Sequence, residues 1–248
     1  MPEDSGIGEE ALNKAAEIGL SSQLDEVENL DVNVKAEPFK LVQGEVESVQ
    51  IAGEGLVMQQ NLRVEVMEMQ INRVAINPLK AALGKIELTK PTAGKAWVVL
   101  TEVDINRAFN SEYIRAQIQS QKININGELK TVAPQQVDFR LSGEGKVTLN
   151  AKILLVENGE THQVAFTAVP RINAHGTTVT LENVTYCEGE EISPELTKAL
   201  IAQTSEILNL NNFDLEGMSL RIKQLEVDTG KLTLQAEADV EKIPFAEN

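Results

Sequence analysis

The sequence is poor in everything that usually staples or anchors a chain. Among 248 residues there are one cysteine, Cys187, two histidines, His162 and His175, and only 4% aromatic side chains. A lone cysteine closes no internal disulfide, so a secreted disulfide scaffold is excluded and a small buried hydrophobe is the plain reading of Cys187. Basic residues are scarce too: 22 Lys and Arg stand against 38 Asp and Glu, a formal net charge of −16. Such a chain is repelled at long range by phosphates, so nucleic acid is not an expected partner, and membrane contact should be transient or with weakly charged lipids. Long apolar runs are missing. One of the longest, "AWVVL" at Ala96 to Leu100, is far below the ~20 residues of a membrane span. The start "MPEDSGIGEE" is acidic and has no apolar centre, so a cytoplasmic, unanchored chain is expected, at most peripheral to a membrane.

What is present is patterned. A hydrophobic content of 42% over 248 residues is enough to bury a core in one domain or two. Ile7, Ala11, Ala15 and Ile18 recur at helical spacing behind Glu9 and Glu10, which predicts a short amphipathic helix with acids in its first turn. From Val27 the period falls to two: Leu30, Val32, Val34 and Ala36 alternate with polar residues, as in a strand with one wet face. Clean alternation recurs at Val147 to Leu155, Val164 to Ala168 and Leu232 to Val240. Further helices are expected at "NPLKAALG", at "TEVDINRAFNSEYIRAQIQSQ" with Thr101 as cap and Ile105, Phe109, Tyr113 and Ala116 on one face, and at "SPELTKALIAQTSEILN" with Ser193 as cap.

Elsewhere the alternation slips. Leu56, Met58, Leu62, Val64 and Val66 share one parity, Met67, Met69 and Ile71 take the other, and Val74 and Ile76 revert. Similar slips follow Val46, Leu181 and Ile222. Shifting by one residue sends every side chain to the opposite face, so each slip predicts a bulge or break, and repeated bulges curve a sheet. The expected fold is therefore α+β: one long, highly curved antiparallel sheet wrapped around amphipathic helices.

Two stretches, "QIAGEGLVM" and "RLSGEGKVT", share Gly-Glu-Gly and hint at an internal duplication around 50–58 and 140–148. Neither leads into a helix, so they are turns or bulges and not phosphate-binding loops. Asn126-Gly127 and Asn158-Gly159 suit tight two-residue hairpin turns. Asp228-Thr229-Gly230 spells an aspartic-protease triplet without a second copy, so it too reads as a hairpin turn. "CEGEEI" lacks calcium-loop spacing and the histidines lack metal-ligand partners at recognised spacing. No metal, cofactor or catalytic constellation is expected.

"PFKLVQGEVESVQI", "LRVEVMEMQINRVAI" and "AWVVLTEVDINRAF" resemble the LmeA-like family of phospholipid-binding proteins. The shared landmarks are Pro38, Phe39, Leu41 and Gly44, then Leu100, Thr101, Glu102, Asp104 and Asn106. The resemblance implies a single domain over 1–248 with a tubular lipid-binding architecture, a curved sheet around a long helix and an apolar groove for acyl chains. From the residues themselves, Met58, Met67 and Met69 offer flexible thioethers to variable apolar ligands or fill ordinary core gaps. The expected groove comprises Met58, Leu62, Val64, Val66, Met67, Met69 and Ile71 with Leu196, Leu200 and Ile207, and Arg63 and Arg73 are candidates for a headgroup phosphate. Function is then non-enzymatic binding or transfer of a lipid or other apolar small molecule. The competing readings are a scaffold module with a filled core, and a hydrolase using carboxylates that the sequence does not reveal.

Overall fold

The computed structural model describes residues 7–22, 24–58, 62–81, 87–119, 122–125, 127–186, 196–201 and 218–241. In chain order these form α1 (Ile7–Ser21), β1 (Leu24–Glu26), β2 (Asn29–Lys35), α2 (Pro38–Val42), β3 (Glu45–Met58), β4 (Leu62–Ala75), α3 (Pro78–Ala81), β5 (Thr92–Thr101), α4 (Glu102–Phe109), α5 (Glu112–Gln119), β6 (Lys122–Ile125), β7 (Glu128–Gly143), β8 (Lys146–Leu155), β9 (Glu160–Ile172), β10 (Val179–Tyr186), β11 (Met218–Asp228) and β12 (Lys231–Val240). A helical turn at 196–201 lies between β10 and β11.

The strands are antiparallel and strongly curled, as the slipping alternation predicts. They form two sheets and not one. β1 and β2 both pair with β3, and β3-β4-β5-β12-β11 continue a seven-stranded sheet; β10-β9-β8-β7-β6 form a five-stranded one. The free edge of β11 joins them: Ile222 N–H donates to the Gly176 carbonyl (2.7 Å), Gly145 N–H to Val227 (3.2 Å) and Gly230 N–H to Leu141 (2.9 Å). Sequence periodicity reports a strand's faces but not its edge partners, so it does not count sheets.

The predicted slips separate into two kinds. Those after Leu181 and Ile222 are true register shifts, between Glu182 and Thr185 and between Ile222 and Gln224, the first with Asn183 at φ 52°. Those after Val46 and Ile71 are the two sides of one distortion: Arg73 has φ 56°, it and Glu47 drop out of the ladder, and Val46 pairs again with Val74. The kink returns Val46 and Val74 to the cluster that holds Val49 and Ile71. The jump from Val66 to Met67 adjoins a distortion of the same kind: Gly55 has φ 59°, it and Glu65 drop out of the ladder, and Leu56 lies over Gly53 while Val66 stays on the other face.

The two Gly-Glu-Gly stretches hold different positions. Glu144 and Gly145 make the two-residue β7–β8 turn, with φ 52° and 73° as a type I′ turn requires. Gly55 lies inside β3 with φ 59°, where a side chain would strike Glu28. Thr229-Gly230 is the β11–β12 turn, as expected, and Gly127 belongs to the β6–β7 turn. The β8–β9 loop is longer than expected, because Leu155 pairs with Glu160 and leaves four residues between them.

Two helices cap sheet edges. In α1 the half-buried Leu12, Ala16 and Leu20 pack on the sheet, while Ala11, Ala15 and Ile18 of the expected face are exposed. The reason is polar. Asn13 Oδ1 accepts from Val34 N–H (2.7 Å) and Glu9 Oε1 from Ala36 N–H (3.3 Å), so α1 rotates to satisfy the otherwise open edge of β2. The second expected helix breaks into α4 and α5 at Asn110 and Ser111, where the Ser111 hydroxyl accepts from Ile114 N–H as a cap. Along α4, Glu102, Asn106 and Asn110, spaced by four, meet Leu141, Phe139 and Val137 of β7, spaced by two. Asn106 both accepts from Phe139 N–H and donates to its carbonyl, each at 2.7 Å, and so stands in for a neighbouring strand.

Candidate functional site

Cross-strand partners share a face, so the register defines one surface across the whole first sheet. Met67, Met69 and Ile71 of β4 pair with Gly53, Ile51 and Val49 of β3, which pair in turn with Leu30, Val32 and Val34 of β2. On the other side they pair with Val98, Ala96 and Gly94 of β5, and these with Leu234, Ala236 and Ala238 of β12. Leu225, Ile222 and Leu220 of β11 complete the rows. No charged residue interrupts these three rows across the six strands. Its β2 end is covered by α1 in one apolar cluster, and its β11 end, through Leu100, Leu225, Val227 and Leu232, joins the larger cluster of the second sheet.

Between the two clusters the side chains become small. Gly94, Ala96, Ala236 and Ala238 form a floor across β5 and β12, flanked by the half-buried Met67, Met69, Val98 and Leu234. The floor is a strip of short side chains between two packed ends, with Gly94, Ala96 and Ala238 buried and Ala236 half-buried. Sequence reading missed this floor, because small residues attract attention only when the cross-strand register aligns them.

The expected groove residues do not all meet. Met67, Met69 and Ile71 lie on the inner face and in the α1 cluster. Val66, opposite Val99, is on the other face of β4, whereas Leu62 and Val64 lie beyond the kink at Gly55 and Glu65, and Val64 pairs with Leu56, whose side chain lies over Gly53 of the inner face. Leu196 and Leu200 pack into the second sheet's cluster. The side chain of Met58 and the whole of Ile207 lie outside the described residues, as do Cys187 and "CEGEEI".

Arg63 is held by carboxylates. Its guanidinium meets Asp104 at 2.7 Å, Glu65 at 2.6 Å and Glu28 at 2.8 Å, and its side chain is 18% exposed. Asp104 is the buried member, 1% exposed. It closes a capping box with Thr101 at the start of α4: Asp104 N–H donates to the Thr101 hydroxyl oxygen, and the Thr101 N–H donates to the Asp104 carboxylate. Burial alone would push this carboxyl up, but the Thr101 hydrogen bonds and the Arg63 guanidinium outweigh it and hold it below the usual range. The three carboxylates likewise hold Arg63 charged. The Thr-Glu-x-Asp-x-Asn landmark is thus a structural device that fixes α4 to β4 and to β7. Arg73, at its kink, is exposed.

The outer face of the same sheet is polar. A groove of about 580 Å³ crosses it, with Gln50, Glu68, Gln70, Lys95, Trp97 and Glu237 on its walls, and Lys223 pairs there with Glu237 at 2.9 Å. Opposite characters on the two faces of one sheet fit an apolar interior and a wet exterior. Among the described residues no three acidic, histidine or cysteine side chains converge as a metal site, and no helix is long and apolar enough to cross a membrane.

No curated protein and no solved structure matches this chain. The family comparison does match, over residues 4–237 and hence nearly the entire sequence, including both sheets and the α4 landmark. The chain belongs to the LmeA-like phospholipid-binding family.

Proposed function

We propose that the chain binds phospholipid, or a lipid of similar acyl character, without chemical conversion, in a trough on the inner face of the first sheet. The observation that carries the reading is the uncharged inner face with its Gly94, Ala96, Ala236 and Ala238 floor. Family membership supports the ligand class. Acyl chains laid along this floor would leave water at about 0.8 kcal/mol per methylene, so a dozen methylenes suffice for stable binding once ordering costs are met. Met67 and Met69 beside the floor suit chains of different length and saturation, because a thioether side chain rearranges at low cost. The headgroup is then left toward solvent. Arg63 is committed to Asp104, Glu65 and Glu28 and is left out of the proposed site, whereas the exposed Arg73 is retained as a headgroup candidate.

Native mass spectrometry on the gently purified chain is expected to show a lipid adduct at one per protein, and a fluorescent fatty acid should compete with it. A bare mass, together with no displacement of the probe, would refute the reading.

A further inference from the structure

Among the described residues the three most exposed large hydrophobic side chains are Leu79 at 79% and Phe39 and Val42 at 78% each. They belong to α2 and α3, which the β3–β4 hairpin brings to one end of the molecule. Glu45 pairs with Ala75, Ile76 N–H donates to the Gly44 carbonyl at 2.7 Å, and Pro78 lies against Gly44. Gly44 has φ 80° and a side chain there would collide with the Ile76 carbonyl, so only glycine lets the two short helices sit together. Leu41 of α2 points into the α1 cluster, which leaves Phe39 and Val42 to water by necessity of helical spacing and not by accident of packing.

The chemistry of this end differs from that of the rest. In a chain of net charge −16, the only charged residues of α2 and α3 are Lys40 and Lys80, each paired with glutamate: Lys40 with Glu37 and Glu47, Lys80 with Glu87. The end is therefore close to neutral. Its apolar side chains stand on two single-turn projections, and at such exposure they line no cleft. A protein partner would need a matching socket for each of them, whereas a soft apolar layer closes around any such shape. The cluster beneath the tip is also the covered end of the inner face, so the projections lie where the proposed trough ends.

We propose that α2 and α3 form a docking tip that seats in a weakly charged lipid surface, with Phe39, Val42 and Leu79 entering the acyl boundary and Lys40 and Lys80 remaining at headgroup level. The proposal rests on the lipid-binding reading and adds where the protein meets its lipid source.

The test is flotation with phosphatidylcholine vesicles, with and without phosphatidylglycerol, for the wild type, the double variant F39S/L79S and the control V103S, which removes a side chain 75% exposed on α4. The wild type is expected to float with pure phosphatidylcholine vesicles at low and high salt, and less well with phosphatidylglycerol, because the acidic body is repelled. F39S/L79S should lose at least about tenfold in partitioning while keeping its melting temperature and its lipid adduct; V103S should float like the wild type. Equal flotation of F39S/L79S and wild type would overturn the tip, as would a wild-type dimer in sedimentation that F39S/L79S dissociates, since the surface would then be a contact between copies. Flotation by a wild type that carries no lipid adduct would leave the tip standing and remove the trough.

Discussion

Asp104→Ala is expected to destabilise the fold by about 3 kcal/mol, the lower end of what removing one partner of a buried ion pair costs. The lower end applies because Arg63 would keep Glu28 and Glu65. What is lost is the one carboxylate out of reach of water, together with both halves of the capping box at Thr101. Asp104→Asn should cost about half as much, since an amide oxygen still accepts from Thr101 but carries no charge. The pH dependence follows from the direction of the shift. The folded-state value of Asp104 is lowered, so its contribution is fully present above the unfolded carboxylate value of about 4 and is lost as pH falls through the lower folded value. Guanidinium unfolding of wild type and Asp104→Asn at neutral pH and at successively lower pH checks this: the gap between them should close only below about pH 4. A gap that persists unchanged into strong acid would contradict the charge argument.

Asn106→Ala should cost about 2–4 kcal/mol, because it strips both hydrogen bonds from the Phe139 backbone and leaves a partly buried N–H and carbonyl without partners. Asn106→Leu restores volume but not donors and acceptors, so it should be no better than alanine. Asn106→Asp keeps an acceptor for Phe139 N–H and sets a carboxylate against its carbonyl, and it should also fail. Hydrogen exchange at Phe139 and Val137 reports the effect locally, with protection lost at Phe139 first. Recovery of stability by leucine would show that Asn106 acts by filling space and would sink the edge-capping account.

These two residues also show what was legible in the sequence. Strand alternation exposed the curvature, because a residue out of phase must be accommodated in backbone geometry, and the distortions at Arg73, Asn183 and Ile222 lie where the alternation slips. The slip from Val66 to Met67 likewise adjoins the kink at Gly55, opposite Glu65. Helix faces were harder. The apolar period of α1 selected Ala11, Ala15 and Ile18, but the open edge of β2 demanded Asn13 and Glu9 and turned the helix accordingly. Edge satisfaction is a tertiary requirement with no local pattern. The small-residue floor was half visible for the same reason: methionines draw attention as single residues, whereas Ala96, Ala236 and Ala238 acquire meaning only when β12 pairs with β5. Arg63 reads as a free cation until the fold brings Asp104, forty-one residues away, against it.

The most direct test of the trough is to fill it. Ala236→Phe adds a ring on the half-buried floor between the two packed clusters. If that strip holds acyl chains, the variant should melt within a few degrees of the wild type and lose its lipid adduct in native mass spectrometry. If the strip is ordinary packed core, the ring should destabilise the fold by about 1–3 kcal/mol, with no adduct on either protein, and the lipid-binding account would be contradicted.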